Sequence, residues 1–519
     1  MKLRTILLGA TACMLAGQAT AQTATTTHRR ETVEQRMERM EQIIDQQQSQ
    51  IQTLKSQIGS SEAPAQDTAP EVSSAQFEAL QNQVYEQQAA TRSAAAVTMK
   101  KGRPTIASPD GKYSLSLRAE VMGDYAAYDR SSVVTQAFPG PAATNLQPLR
   151  NGFTFRRAQF GVEGKFAGDW GYKLMYEFGG NGGQETGNGA SASSGSGARV
   201  KEAFITYKGF LDPFTFKIGA APWPANLSDA TSSGDSLFLE RPSGATISRG
   251  LAADDGRYGM GFFGNGEMWT GSAFLTGDTF GKGALDGQGS VVTRVAIAPI
   301  QDPVNNFNLH LGGNLSWVFK TQSTGANLAA RAQNISFSDR PELRVTDFRL
   351  INTGSISSDS AYTAGLEVGA SYGSLQLQGE YFWFGADRRN PVLGASDPGF
   401  SAWYVEGSYV LTGEVRPYNM AAGAFGRPSP SASFDPANGN WGAWEIAARY
   451  SQTDLDYHTS SAVAADRVFG GKQDIYSIGL NFYPHDNVKF MWGWQNVHAK
   501  KSLIGTNYND FYARMQFAL

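Results

Sequence analysis

The sequence predicts an all-β transmembrane barrel of about sixteen antiparallel strands, preceded by an α-helical coiled coil. Three observations carry this. The chain ends in strict alternation, with Phe511, Ala513, Met515, Phe517 and Leu519 on one face and Tyr512, Arg514 and Gln516 on the other. Period two means a strand between two different environments. Similar segments recur from residue 113 onward, separated in turn by short and long connections. No apolar run of about 18 residues follows the first 21, so helices do not supply a membrane crossing. An apolar strand at a chain end invites pairing with other chains unless a closed barrel removes its edge and lipid meets its apolar face.

In order, residues 1–21 read as a secretory signal peptide. Lys2 and Arg4 precede the apolar stretch Ile6 to Leu15, and Ala19-Thr20-Ala21 offers the small-residue cleavage site. Cys13, the only cysteine, lies within it, so the mature chain is expected to have neither disulfides nor a catalytic thiol. Residues 22–58 read as a coiled coil. Val33, Met40, Gln47 and Leu54 occupy one heptad core position, and Met37, Ile44, Ile51 and Ile58 the other. Isoleucine at that second position points to three or four strands. Residues 59–112 are expected to be a linker. Pro64 and Pro70 break the helix, and Phe77, Leu80 and Val84 resume it as a short second helix.

The barrel is expected over 113–519. Leu115, Leu117, Ala119 and Val121 alternate with Ser116, Arg118 and Glu120. The clearest segment sets Phe307, Leu309, Leu311, Leu315, Trp317 and Phe319 against Asn308, His310, Asn314 and Ser316. Short connections such as Gly168-Asp169-Trp170 and Gly373-Ser374 alternate with long ones such as 221–256 and 320–360, as short periplasmic turns alternate with outer loops in such barrels. One connection, 412–442, is long on the short-turn side. Trp383, Tyr409, Trp444, Trp492 and Trp494 are expected in the interfacial aromatic girdles.

Alternation assigns Arg118, Arg157, Lys165, Lys173, Lys217, Arg294, Arg449, Lys489 and Arg514 to the lumen, with Glu120, Glu163, Glu177, Glu202, Glu367, Glu380, Glu406 and Glu445 on the same face. A basic ladder steers anions by its local field; alternatively, the two sets neutralise each other as ion pairs. A net charge of −3 gives no reason to expect nucleic acid as a partner. Gly259-Met-Gly261-Phe-Phe-Gly264 matches a dinucleotide pattern but leads to a turn rather than a helix. Gly369-Ala-Ser371-Tyr-Gly373 matches a nucleophile elbow, again with no helix following, and nothing ties Ser371 to His310. Asp254-Asp255 lacks the spacing of a calcium loop. No catalytic, cofactor or metal residues are expected, and no enzyme activity.

Several stretches resemble the phosphate-selective porin O/P family of Gram-negative outer membranes. They are Phe155-Arg156-Arg157-Ala158, Phe238-Leu239-Glu240-Arg241, Arg257-Tyr258-Gly259 and, most specific, Leu411-Thr412-Gly413-Glu414-Val415-Arg416-Pro417-Tyr418. Gly423 to Gly426, Gly442 to Glu445, Ala448 to Ser451 and Gly470 to Gln473 follow in the family's order. The resemblance implies a sixteen-stranded homotrimer in the cell outer membrane, surrounded by lipid, admitting small anions such as phosphate, with the N-terminal segment in the periplasm. It also accommodates the long turn. By analogy with general porins, 221–256 becomes the constriction loop, with Asp229, Asp235, Glu240, Arg241 and Arg249 as candidates. The loop holds no lysine and more acidic than basic residues, which argues against a strict phosphate filter. Arg416 is expected in a structural salt bridge, with Glu414 as its candidate partner. Two alternatives stand beside the anion channel: a non-selective general porin, and a barrel anchor whose coiled coil binds peptidoglycan.

Overall fold

The structure, a computed structural model, describes Asn82 and residues 95–100, 102–136, 144–179, 198–280, 287–324, 332–346 and 348–519. The expected signal peptide and coiled coil lie outside this set, as does the second helix apart from Asn82, which is helical. The chain divides into two units, 1–86 and 87–519, and all that follows concerns the second.

Sixteen strands close into one antiparallel barrel. They are β1 (Ser114–Tyr128), β2 (Gly152–Phe166), β3 (Trp170–Glu177), β4 (Arg199–Leu211), β5 (Phe214–Ala221), β6 (Arg257–Asn265), β7 (Trp269–Thr279) and β8 (Gly289–Asp302). The second half comprises β9 (Phe307–Lys320), β10 (Ile356–Tyr372), β11 (Leu375–Arg388), β12 (Gly399–Val410), β13 (Ala443–Tyr457), β14 (Val468–His485), β15 (Val488–Lys501) and β16 (Ile504–Ala518). Each of the sixteen expected segments falls on one of these strands.

Closure is made by β16 against β1, with Phe517 opposite Val121 and Arg514 opposite Asp124. The Leu519 amide extends the seam by donating to the Ala119 carbonyl at 2.9 Å. No barrel edge is left for another chain to pair with. Along β16, Phe511 and Met515 are 58% and 52% exposed, while Tyr512, Arg514 and Gln516 are at most 5% exposed. The apolar face therefore points outward, as a lipid-facing strand requires.

The linker reading is corrected near its end. Ala96–Lys100 and Arg103–Ala107 form a hairpin whose second strand pairs with β1, Thr105 opposite Ser116. Strand structure therefore begins before residue 113.

The barrel interior is only partly open. Connections between strands enter it. The loop after β5 carries the short helix α1 (Leu227–Ala230) and α2 (Ser243–Ala252). Pro222 and Pro224 end the strand pattern because proline supplies no ladder donor. Asn226 caps α1 by accepting from the Asp229 amide at 2.8 Å. Glu380 of the wall accepts from the Leu227 and Ser228 amides at 2.8 and 3.0 Å, so β11 satisfies the first turn of α1. α2 lies against the wall closely enough that a Cβ on Gly244 would come within 2.6 Å of the Ala402 methyl. The connection after β9 and the long turn after β12 also fold inward. Trp223, Ile247, Leu251, Phe337, Phe382 and Phe384 form one apolar cluster inside the barrel. This half of the interior is a packed core, not a water-filled lumen.

The long turn is held by Arg416. Its partner is Glu445, at 3.0 and 3.1 Å, and not Glu414, which accepts from the Ser431 amide and the Thr412 hydroxyl. Glu445 also accepts from Asn481 and from the Tyr483 hydroxyl. The pair is 2% and 0% exposed. Removing one partner of such a pair leaves a buried charge uncompensated, at about 3–5 kcal/mol. Arg416→Ala is expected to lower the thermal unfolding temperature of the detergent-solubilised barrel clearly more than Arg150→Ala, an exposed-site control; equal effects would show that the turn is held elsewhere.

Candidate functional site

The open part of the interior is a cavity of about 900 Å³. Its outer wall is built from β1 to β8, and the inward loop after β5 forms much of the opposite side. Asn419, Ala421, Ala422 and Arg427 to Ser429 of the long turn, with Asp486 and Asn487, line it as well. Among the described residues, ten Arg or Lys side chains line it against six Asp or Glu side chains, so this lining is net basic.

Alternation places Arg118 on β1, Arg157 on β2, Lys173 on β3, Lys217 on β5 and Arg294 on β8, and the structure brings all five to the cavity. Lys173 Nζ lies 3.0 Å from Glu202, and Arg118 lies 3.5 Å from Glu163, which Arg103 of the hairpin also reaches at 3.2 Å. Arg157 is 4.0 Å from Asp255. Lys217 has a different setting: its ammonium lies 4.1 Å from the Phe204 ring centre and 4.7 Å from that of Trp223. Arg294 doubles as an anchor, bonding Glu367 and the Ala422 and Gly423 carbonyls of the long turn.

Four basic candidates are placed elsewhere. Lys165 is exposed at the short-turn end of β2 and does not line the cavity. Arg449 is buried under the inward loops, bonded to Glu342 at 2.5 Å and to the Glu240 carbonyl at 3.0 Å. Lys489 is buried, donating to the Ser236 carbonyl at 2.6 Å. Arg514 is buried with Asp124 at 2.6 and 2.7 Å. These three hold inserts rather than face a solute, because the inserts cover the strands that carry them.

Two inward-pointing cations escape strict alternation. β2 has no cross-strand partner for Arg156, and β4 has none for Lys201. A bulge turns two consecutive side chains to one side. Arg156 and Arg157 therefore both point inward, as do Lys201 and Glu202. Lys201 Nζ donates to Gln159 at 2.9 Å and lines the cavity. The doubled basic pair Arg156-Arg157 and the Lys201-Glu202 pair in otherwise alternating strands are the available sequence signals.

The acidic constriction candidates are largely neutralised. Arg249 bonds Asp229 at 2.6 Å and also Asp254 and Asp255, so the paired acids stabilise the loop itself. Arg241 lies 3.5 Å from Asp229, and Arg427 lies 3.6 Å from Asp235. Arg416 also donates to the Asp235 carbonyl, so the long turn and the inward loop meet there. Glu240 is buried among Arg156, Arg344 and Arg514. Burial pushes its carboxyl up, but those guanidiniums, Arg156 foremost, outweigh burial and hold it well below the usual carboxylate range. A carboxylate with a depressed folded pKa stabilises the fold fully above its unfolded pKa of about 4.3, and that contribution fades only as pH falls through the folded value. Conductance in bilayers is accordingly expected to show no loop release between pH 7 and about pH 4; a step in conductance within that window would contradict the clamp.

A family model described as phosphate-selective porin O and P matches residues 136–519. The chain belongs to this family of outer-membrane porins. It is 26% identical over 480 residues to Porin O of Pseudomonas aeruginosa, covering 86% of this chain and 98% of that protein. It is 25% identical over 363 residues to an uncharacterized protein of Caulobacter vibrioides, 66% of this chain and 62% of that one. Among solved structures, an anion-selective porin from Comamonas acidovorans aligns at TM-score 0.46 with 12% identity, over 78% of this chain and 100% of that one.

The stretches that carry the porin O and P resemblance meet inside the barrel. Arg156 of one holds Glu240 of another. Arg416 of a third holds Glu445 of a fourth. Arg257 donates to the Gly250, Leu251 and Gly277 carbonyls, tying the end of α2 to the wall. Of the rejected motifs, the glycine run lies within β6, where a Cβ on Gly259 would come within 2.6 Å of Trp223. Ser371 donates to the Asn306 carbonyl, while His310 contacts Tyr418 and Glu367.

Proposed function

We propose that this porin is a channel for passive diffusion of small hydrophilic solutes across the outer membrane, favouring anions such as phosphate, and that it works as a homotrimer. The excess of ten basic over six acidic side chains among the described residues around this cavity carries the reading. In a narrow, low-dielectric passage such an excess raises the local anion concentration. The name of the matching family supports phosphate as one such anion. The pairing of Lys173 with Glu202 and of Arg118 with Glu163 supports a second reading, a general porin with weak charge preference.

Reversal potentials in a potassium chloride gradient separate the two readings. The anion reading expects chloride to be clearly more permeant than potassium, and inorganic phosphate to reduce the chloride current. Near-equal permeabilities without phosphate block would establish the general porin, and cation preference would overturn both.

A further inference from the structure

Part of the cavity wall breaks the rule that the inside of a porin is polar. On four consecutive strands, inward positions carry Phe204 (β4), Lys217 (β5), Phe263 (β6) and Phe274 (β7). The register joins them. Phe204 is opposite Gly219, Gly261 is opposite both Lys217 and Phe274, and Phe263 is opposite Thr215 and Ser272. Glycines at 219 and 261 leave the rings unobstructed by neighbouring side chains on β5 and β6. Phe274 is buried, but Phe204 and Phe263 are only half-buried and line the cavity, with Pro222 and Pro224 beside them. Lys217, lying against the Phe204 ring, is the cation within this facet, and Lys201, on β4 like Phe204, also lines the cavity.

A bare inorganic anion gains nothing from an aromatic surface. An anion with an apolar body gains twice, through ring contact on Phe204 and Phe263 and through its charge at Lys217. We infer that this facet is a subsite for organic anions, namely carboxylates or phosphate monoesters carrying an aromatic or branched aliphatic group. The inference rests on the anion-channel reading and adds a solute class to it. The apolar body slides along the facet while the charged end passes from cation to cation. The segment Gly259 to Gly264, which has no nucleotide to bind, supplies the facet's centre.

The test is block of the chloride current through the purified full-length porin in planar bilayers by benzoate and by acetate, whose carboxylates are alike. Benzoate is expected to half-block at a concentration about fivefold or more below that of acetate, the scale of one aromatic contact with partial burial. In the double variant Phe204→Ser, Phe263→Ser, the benzoate-to-acetate ratio is expected to fall to near one. In Lys217→Gln both blockers should weaken together. Equal block by the two anions in the unaltered porin overturns the inference, as does a benzoate preference that survives the double variant. If the double variant does not insert, the unaltered porin's ratio still decides. Cation preference in the reversal potential would instead remove the underlying anion reading, so the two failures are distinguishable.

Discussion

Replacing Glu240 by Ala is expected to loosen the inward loop around that residue and raise single-channel conductance by up to about twofold, with frequent current steps between levels, the loop being the inner wall of the passage. Glu240 is the shared partner of Arg156 on β2, Arg344 on the connection after β9 and Arg514 on β16. Without it, three guanidiniums face one another inside the barrel. Uncompensated buried charge costs about 3–5 kcal/mol. The Arg514–Asp124 bonds and the barrel ladder remain, so the barrel itself should stay folded. The loop keeps its other ties, namely α1 to Glu380, Arg416 to the Asp235 carbonyl, Lys489 to the Ser236 carbonyl, Arg257 to the end of α2, and its apolar packing. Glu240→Gln, which keeps the shape and two hydrogen-bonding atoms, is expected to give an intermediate effect. Unchanged conductance in Glu240→Ala, recorded in molar potassium chloride, would show that the remaining contacts suffice to fix the loop.

The triple variant Arg157→Gln, Lys201→Gln, Lys217→Gln is expected to abolish anion preference. It leaves seven basic side chains against six acidic around the cavity. Selectivity of this kind follows the local charge balance and is screened over about 10 Å at 0.1 M salt, so reversal potentials should be read in dilute gradients. The expected result is a reversal potential near zero. The control Lys165→Gln removes a cation at the strand end outside the cavity and should leave the potential unchanged. A triple variant as anion-selective as the parent would place the filter elsewhere.

The barrel was legible because each strand repeats one local signal. A side chain's direction in a strand depends on parity alone, so Phe511, Met515 and Phe517 announce an outward face from sequence. Parity also found Arg118, Arg157, Lys173, Lys217 and Arg294. It failed at Arg156 and Lys201, because a bulge is decided by the pairing of two strands and not by either alone. It assigned Arg449, Lys489 and Arg514 to the correct face but to the wrong environment. Nothing near those residues in the chain shows that loops from more than 200 positions away cover them, as with Arg449 and the Glu240 carbonyl. Counting charges on the loop after β5 likewise made it look acidic, whereas Arg156, Arg344, Arg427 and Arg514 come from elsewhere to neutralise it.

The sequence by itself determined the number of strands, which face of each meets lipid, and which connections are long enough to enter the interior. These are properties of period and length, and a local pattern suffices for them. Only the tertiary structure decided which half of the interior is filled, which charges survive pairing, and that an aromatic facet lies beside Lys217. Those features depend on contacts between segments distant in the chain, where one buried carboxylate such as Glu240 gathers cations from three separate elements. Free energy in a confined interior goes to whichever charges find partners, and only the folded chain specifies the partners.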